Sequence, residues 1–302
     1  MDYPSVLQHP EEAAKELDRL TSDGRIFWYA EGDAPPDLDI GPTTLILKSE
    51  RVRLVHDWTR VGLNQCLETP PTKFDTMDDF LDKLRPNAFM AGLDIRDCFY
   101  HWPIHPESRR RLGVRHPISR RLGVYLFLPP GLSAAPGYNE QFVGTMVDAA
   151  KRGLSIHSCR FVDDLRITNV PQLAQEEDKR LLNVQLHCFK TNLEALGLRI
   201  HSKPGKFIEA SQEIEWLGWA ISTVQLRVWL TPTKQAKGLM LCQDLLERHL
   251  RGDCITSRQV MSVAGFLNFI TGVIKRARPY LRTLYQCIAA SQVYSAWKSG
   301  KR

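Results

Sequence analysis

The run Cys159–Ile167, "CRFVDDLRI", sets two adjacent aspartates inside an otherwise strand-like stretch. Neighbouring side chains on a β-strand point to opposite faces, so two consecutive carboxylates in mid-strand would bury one charge at high cost. At the tip of a β-hairpin the pair is acceptable, because Asp is a favoured turn residue. The run therefore predicts a strand, a turn and a strand, with Asp163 and Asp164 at the tip. In the simplest interpretation they only form this turn and face water.

A third carboxylate gives the pair a chemical meaning. Asp94 ends the apolar run 88–95, which predicts a buried strand. If this strand lies beside the hairpin, Asp94 faces the tip, and converging carboxylates need cations to stay ionised. Oxygen ligands select a hard cation such as Mg²⁺. Two such ions about 4 Å apart can clamp the attacking and leaving oxygens of a phosphoryl transfer.

The totals limit the class of protein. The chain has 302 residues, enough for one large domain or two to three subdomains. No apolar run approaches the roughly 18 residues of a membrane span, and the N-terminus lacks the pattern of a secretory signal. Seven cysteines without a C-x-x-C pair argue against a disulfide framework and against a zinc site. We therefore expect a protein without membrane partners in a reducing, intracellular compartment, the cytoplasm or the nucleus.

The net charge of +6 is unevenly distributed. Residues 101–125 carry six arginines against Glu107 alone, and residues 273–302 carry seven cations and no acid. Such clusters suit a phosphate backbone, although a solvated face that binds nothing is the alternative. The arginines that we single out as nucleic-acid contacts are Arg109, Arg110, Arg111, Arg276, Arg278 and Arg282.

Periodicity predicts a mixed architecture. Strands are expected at 43–48, 51–58, 88–95 and 120–129 and in four short runs between 198 and 230; helices are expected at 74–84, 135–153, 172–196, 233–251, 257–273 and 278–297. The fold class is therefore α+β with a helical appendage.

Five motifs in order resemble those of reverse transcriptases, over roughly residues 40–285. They are "RVRLVHDWTRVGLN", "GLDIRDCFYHWPIHPESRRRLGV", "LFLPPGLSAAPGYNEQF", "FVDD" and "EIEWLGWAIS". Each motif is weak alone, but the ordered set is specific. The type is that of long-terminal-repeat or tyrosine-recombinase retrotransposons and their viral relatives, and "SRQVMSVAGFLNFI" and "RARPYLRTLY" resemble the thumb and connection helices of that group.

The resemblance implies a right-hand polymerase with fingers, a palm made of an antiparallel sheet backed by helices, and a helical thumb and connection. The expected divisions are 1–87 for the N-terminal segment and fingers, 88–230 for the palm with a fingers insertion at about 100–128, and 231–302 for the thumb and connection. It implies an RNA-directed DNA polymerase that extends a DNA or RNA primer on an RNA template with deoxynucleoside triphosphates. The chain is also compatible with a place in a larger polyprotein.

The resemblance also assigns roles to single residues. Asp94, Asp163, Asp164 and the carbonyl of Ile95 would hold two Mg²⁺ ions, with Mn²⁺ as a substitute. The incoming nucleotide would meet Lys48, Arg53, Asp97, Cys98, Pro130 and Gly131, with Phe99 as the steric gate under its sugar. Lys203, or alternatively Lys206, would protonate pyrophosphate. Trp216, Leu217 and Gly218 would form the primer grip.

Some features depart from the family pattern. Pro130 stands where relatives often have Gln or Phe, and one extra residue lies between Asp57 and Asn64. No second set of four dispersed acids follows the thumb, so we expect no ribonuclease H domain in this stretch. Two alternatives stay open: a catalytically silent module that binds RNA or serves as a scaffold, and an RNA-dependent RNA polymerase, against which Phe99 argues.

Overall fold

A computed structural model describes residues 2–48 and 51–298. The helices are α1 Pro4–Gln8, α2 Pro10–Ser22, α3 Leu63–Cys66, α4 Met77–Leu81, α5 Ala135–Ala150, α6 Gln175–Ala195, α7 Pro232–Arg251, α8 Ser257–Thr271 and α9 Arg282–Lys298. Short 3₁₀ helices occupy Cys98–His101, Pro106–Arg111 and Lys275–Leu281.

The strands fall into four antiparallel groups. They are β1 Ile26–Trp28, β2 Thr43–Lys48, β3 Arg51–His56, β4 Met90–Asp94, β5 Gly113–Arg115, β6 Leu122–Tyr125, β7 His157–Phe161, β8 Asp164–Thr168, β9 Phe207–Ser211, β10 Glu213–Trp216, β11 Trp219–Ser222 and β12 Arg227–Leu230. Their orders are β1-β6-β5, β2-β3, β7-β8-β4-β9 and β10-β11-β12.

The central sheet β7-β8-β4-β9 carries the predicted carboxylates. All five residues of β4 are buried, as its unbroken apolar run predicts. Helices α5 and α6 cover the sheet and place Val143, Leu186 and Phe189 against Leu93 and Leu165. This is the expected antiparallel sheet backed by helices.

A second core joins the N-terminal segment to the insertion after β4. Trp58 and Tyr125 are fully buried there, together with Leu17 and Leu20 from α2. Strand β1, which the sequence did not predict, pairs with β6 in the register Ile26 to Tyr125. Because β1 is only three residues long, its alternation is too short to stand out from a loop.

A third core connects the sheet β10-β11-β12 to the C-terminal helices. Trp216 and Trp219 are buried in it, and Phe269 of α8 packs 5.4 Å from the Trp219 ring. Helix α8 begins at a capping box in which Thr256 and Gln259 satisfy each other's backbone N–H groups.

Three predicted elements differ from the structure. The run 213–222, expected as one strand, is divided into β10 and β11 by a turn at Leu217 and Gly218. The run at 198–202 forms no strand, and Ile200 makes only an isolated bridge to Ile95. The last helix begins at Arg282 and not at 278, because Pro279 falls within a 3₁₀ turn and has no backbone N–H to continue an α-helix.

All seven cysteines are free thiols. Among the described helices, none has the length and apolar character needed to cross a bilayer.

Candidate active site

Two strand ends bring the three predicted carboxylates to one edge of the central sheet. Asp94 is the last residue of β4 and pairs with Asp164, the first residue of β8. Asp163 lies in the two-residue turn before β8, and its carbonyl oxygen accepts a hydrogen bond of 2.8 Å from the Ile95 N–H. The sequence prediction of a hairpin tip facing the end of β4 matches this arrangement.

The turn is held in an unusual backbone conformation. Val162, its first residue, has φ = +60°. Glycine normally supplies a positive φ at this position of a two-residue hairpin, and a β-branched side chain there is strained. Neighbouring groups must therefore hold the turn that carries Asp163.

Two basic side chains, Lys206 and Arg166, already neutralise part of the carboxylate cluster. The Lys206 ammonium contacts Asp94 Oδ2, and His201 Nε2 lies 3.6 Å from Asp94 Oδ1. The buried Arg166 guanidinium contacts Asp164 Oδ1 and donates to the Glu215 carbonyl at 3.2 Å. Burial, and next the charge of Asp94, raises the pKa of Asp163, while the charges of Lys206 and Arg53 lower it.

Burial also raises the pKa of Asp164, partly offset by Arg166. As the side chains stand, the described residues contain no group of three His, Cys, Asp or Glu placed to chelate one ion. The donor chemistry nevertheless fits a hard divalent cation. Three carboxylates lie on adjacent backbone segments, and oxygen ligands of this kind suit a hard cation such as Mg²⁺.

The structure decides between the two candidate lysines. Phe207 of β9 pairs with Leu93 of β4, so the preceding residue, Lys206, lies opposite Asp94. Lys203 is exposed, and its carbonyl accepts from the N–H groups of Lys206 and Phe207 at the turn before β9. The strand pairing thus brings Lys206, and not Lys203, to the carboxylates, while the identity of the lysine that protonates pyrophosphate stays a prediction.

The residues after Asp94 turn their side chains into the protein. The Asp97 carboxylate is almost fully buried and lies 3.3 Å from Arg19 of α2 and 3.5 Å from Arg96. Cys98 Sγ donates to the Asn139 side chain at 3.0 Å, and burial raises the pKa of its thiol. Both side chains are buried, and their predicted place beside the triphosphate stays a prediction. Phe99 is half-buried and packs against the core that contains Trp58.

The loop after β6 is hydrogen-bonded to the segment that follows the β2–β3 hairpin. Trp58 Nε1 donates to the Pro130 carbonyl at 3.3 Å, and Asn64 Nδ2 donates to the Gly131 carbonyl at 3.1 Å. Gly131 has φ = +101°, and a Cβ there would lie 2.1 Å from the His56 carbonyl oxygen. Glycine is therefore required at this close approach.

The other predicted nucleotide contacts fall on β2 and β3. Arg53 is exposed on β3 and lies close enough to Asp163 for its charge to lower the pKa of that carboxyl. The backbone of Lys48 ends β2, but its side chain lies outside the described residues.

The predicted primer grip divides into a buried and an accessible part. Trp216 is 1% exposed and packs edge-to-face on Phe80, with ring centroids 4.9 Å apart. Leu217 and Gly218, both with positive φ, form the turn between β10 and β11. The Trp216 ring is therefore in the core and the turn beside it is accessible, while the positioning of a primer end by this segment stays a prediction.

The basic clusters are more neutral than their local sequence indicates. Arg110 and Arg111 pair with Asp37 and Asp39 of the loop after β1, at 3.1 and 2.9 Å. Lys275 pairs with Asp78 of α4 at 2.9 Å. Arg109 Nε donates to the Ile104 carbonyl. Arg276, Arg278 and Arg282 are exposed.

Sequence reasoning missed two buried polar residues at the site, Arg166 and Asn139. Arg166 could have been found from alternation, because it lies two residues after Asp164 and therefore shares its face of β8. Asn139 lies among apolar residues on α5, and only its partners in space reveal a role.

The fold agrees with comparisons to known proteins. Residues 47–221, more than half of the chain, match the family model described as "Reverse transcriptase (RNA-dependent DNA polymerase)". Among the solved structures, the foamy viral protease-reverse transcriptase in complex with RNA/DNA hybrid superposes with a TM-score of 0.66 at 19% identity, covering 96% of this chain and 34% of that one.

The curated relatives include viral proteins. Protein P of duck hepatitis B virus (strain United States/DHBV-16) is 22% identical over 284 residues, which is 91% of this chain and 32% of that protein. The enzymatic polyprotein of Cestrum yellow leaf curling virus is 26% identical over 245 residues, 79% of this chain and 34% of that protein. The chain thus spans about a third of the length of these relatives. The recognition made from the ordered motifs is confirmed, and the chain belongs to the reverse transcriptase (RNA-dependent DNA polymerase) family.

Proposed function

We propose that this chain is an RNA-directed DNA polymerase that extends the 3′ end of a primer with deoxynucleoside triphosphates. The observation that carries the proposal is the pairing of Asp94 with Asp164 across β4 and β8, with Asp163 in the adjoining turn. The match to a reverse transcriptase model over residues 47–221 supports it.

The proposed subdomains follow the sheets. The hairpin β2–β3 and the sheet β1-β6-β5 would be the fingers, the sheet β7-β8-β4-β9 with α5 and α6 the palm, and α7 to α9 the thumb and connection. A template–primer would lie against the open edge of the palm where β4 ends. A template of RNA and a primer of DNA or RNA are the proposed partners.

Asp94, Asp163, Asp164 and the Ile95 carbonyl would hold two Mg²⁺ ions, or Mn²⁺ in their place. When bound, these ions supply positive charge that lowers the energy of the developing phosphate charge and of the ionised primer hydroxyl. The reaction forms a bond between the primer 3′ oxygen and the α-phosphorus and breaks the bond from that phosphorus to the oxygen bridging to the β-phosphate.

The chain's own residues would do the rest. Lys206, at the edge of the site beside Asp94, would give a proton to the leaving pyrophosphate. Arg53 would attract the triphosphate, because its charge already acts on Asp163. Leu217 and Gly218 would support the primer end, and Phe99 would lie under the sugar. The seven free thiols support a reducing, intracellular site of action.

Primer extension tests the proposal directly. Wild-type protein should extend a primer on an RNA template with deoxynucleotides and Mg²⁺ or Mn²⁺, and Asp94→Asn or Asp163→Asn should reduce the rate by about a thousand-fold or more, as removal of key electrostatic groups does. Asp148→Asn removes an exposed carboxylate that is paired with Lys151 on α5 and is the matched control.

Asp148→Asn should extend the primer at the wild-type rate. A wild-type protein that binds template–primer but never extends it, under both metals, would instead support the silent RNA-binding module. Extension with ribonucleotides in preference to deoxynucleotides would support an RNA polymerase.

A further inference from the structure

Asn139 is a buried amide in the second turn of helix α5. Its exposed fraction is 0%, and its neighbours on the same helix face include Val143 and Val147. A polar group in such surroundings is unfavourable unless it is hydrogen-bonded.

Three hydrogen bonds satisfy this side chain. Oδ1 accepts from Trp102 Nε1 at 2.8 Å and from Cys98 Sγ at 3.0 Å, and Nδ2 donates to the Val162 carbonyl at 3.3 Å. The indole nitrogen can only donate, so the amide oxygen must face it. The amide N–H₂ is thereby fixed toward Val162.

The partners of Asn139 belong to the two segments that carry the candidate metal ligands. Cys98 and Trp102 lie on the turn that follows Asp94, and Val162 immediately precedes Asp163. One side chain on a third element therefore ties both segments together. Helix α5 is itself held by the sheet through Val143 and Val147, so the amide stands on a rigid support.

The hydrogen bond from Asn139 to the Val162 carbonyl holds the central peptide of the turn. In a two-residue hairpin turn the central peptide can rotate between turn types. Here that peptide joins Val162, whose φ is +60°, to Asp163, and its rotation would change ψ of Val162 and φ of Asp163. Asn139 holds its carbonyl, while Ile95 N–H holds the carbonyl of Asp163 at 2.8 Å.

We propose that Asn139 is a positioning residue that fixes the Val162–Asp163 peptide and so sets the placement of Asp163 relative to Asp94. The proposal rests on the proposed polymerase function only for its kinetic readout. Without this amide, the Val162–Asp163 peptide would be free to rotate between turn types, and Asp163 would be placed less well to bind a divalent cation together with Asp94.

The test compares two buried asparagines on the same sheet and helix layer. Asn139→Ala removes the clamp. Asn169→Ala is the matched control, since Asn169 is 4% exposed and its Oδ1 accepts from the Phe89 N–H at 2.8 Å, beyond the opposite end of β8. Both variants should lower the thermal midpoint, because each leaves a buried backbone or side-chain donor without its acceptor.

The turnover number and the affinity for Mn²⁺ should distinguish the two variants. Well below both melting temperatures, Asn139→Ala should lower kcat at saturating nucleotide and template–primer by about ten-fold or more, and should weaken Mn²⁺ binding to the free protein, measured by electron paramagnetic resonance, by about three-fold or more. Asn169→Ala should keep both values within about two-fold of the wild type.

Asn139→Asp is the second test variant, for use if Asn139→Ala does not fold. Its oxygen still accepts from Trp102 and Cys98, but as a carboxylate it has no N–H for Val162. An added negative charge alone would strengthen cation binding, so weaker Mn²⁺ binding in this variant would show displacement of the ligands.

Two results would overturn the proposal: wild-type Mn²⁺ affinity and kcat in folded Asn139→Asp, or equal losses in the Asn139 and Asn169 variants. An inactive wild type whose Mn²⁺ binding still depends on Asn139 would reject the polymerase function and keep the positioning role.

Discussion

Lys206 lies opposite Asp94 because Phe207 pairs with Leu93 in the neighbouring strand. Their side chains form an ion pair in which the carboxylate is buried and the lysine is half exposed. This placement lets one end of the lysine reach the space in front of the carboxylates.

We predict that Lys206→Ala lowers the rate of nucleotide incorporation by about a hundred-fold, since general acid catalysis contributes typically 10²–10⁴-fold. Single-turnover incorporation at saturating nucleotide is the measurement. Lys203→Ala, on the same turn but exposed, is the control and should remain within about two-fold of the wild type. The reverse order of effects would return the role to Lys203.

The relation between Lys206 and Asp94 also shows what the sequence could and could not reveal. The hairpin with Asp163 and the buried strand that ends in Asp94 were predictable, because alternation and turn chemistry are local. The position of Lys206 was not predictable, since it depends on the register between β4 and β9. A shift of that register by one residue would move the side chain to the opposite face of the sheet. Likewise Asp37 and Asp39, which neutralise Arg110 and Arg111, are distant in sequence and become neighbours only through β1 and β6.

Trp216 shows a different limit. Its motif position predicts a primer contact, but the indole fills the third core against Phe80. An aromatic side chain beside a turn can be exposed at the turn or packed in the core. Here the packing of α4 against the sheet places it in the core.

Phe99 should select against ribonucleotides. The ring is half-buried against the second core, and its exposed part would fill the space under a nucleotide sugar. Phe99→Val should increase incorporation of ribonucleotides relative to deoxynucleotides by about ten-fold or more, equivalent to roughly 1.4 kcal/mol. The measurement is the ratio of kcat/KM for the two sugars on one template.

Phe27→Val, at a half-exposed aromatic position on β1, is the control for loss of a phenyl ring and should leave that ratio unchanged. A Phe99→Val protein that melts earlier and gains no ribonucleotide use would identify Phe99 as packing.

His56 should make stability depend on pH. Complete burial lowers the pKa of His56 to about 4, and its ring nitrogens lie 3.1 Å from Thr43 Oγ1 and 2.6 Å from Tyr125 OH. The unfolded chain takes up this proton near pH 6.5, whereas the folded chain does not. The stabilisation is thus complete above pH 6.5 and is lost as pH falls toward 4, by up to about 1.4 kcal/mol per unit.

Urea unfolding at pH 7, 6 and 5 measures this dependence. His56→Gln should be less stable than the wild type at pH 7, and the difference should shrink on acidification. His157→Gln, at an exposed position, should follow the wild-type curve. Parallel curves for all three proteins would show that His56 binds its proton equally in both states.

Arg276, Arg278 and Arg282 should contribute to salt-dependent binding of template–primer. Replacing all three with Gln should reduce the slope of log affinity against log salt by about 2 to 3, since each phosphate contact contributes about 0.9. Arg248 and Arg251 of α7, which pair with Asp244 and Asp253, are the control pair. An unchanged slope in the triple variant would mean that the arginines face solvent only.

The Arg19–Asp97 ion pair has a practical consequence for making shorter forms of this protein. The family match begins at residue 47, but Arg19 of α2 reaches the turn after Asp94, and β1 completes the sheet edge at β6. An expression fragment that starts at the family boundary would leave the Asp97 carboxylate buried without Arg19 and would expose the edge of β6 to other chains. A soluble, active fragment must therefore retain α2 and β1.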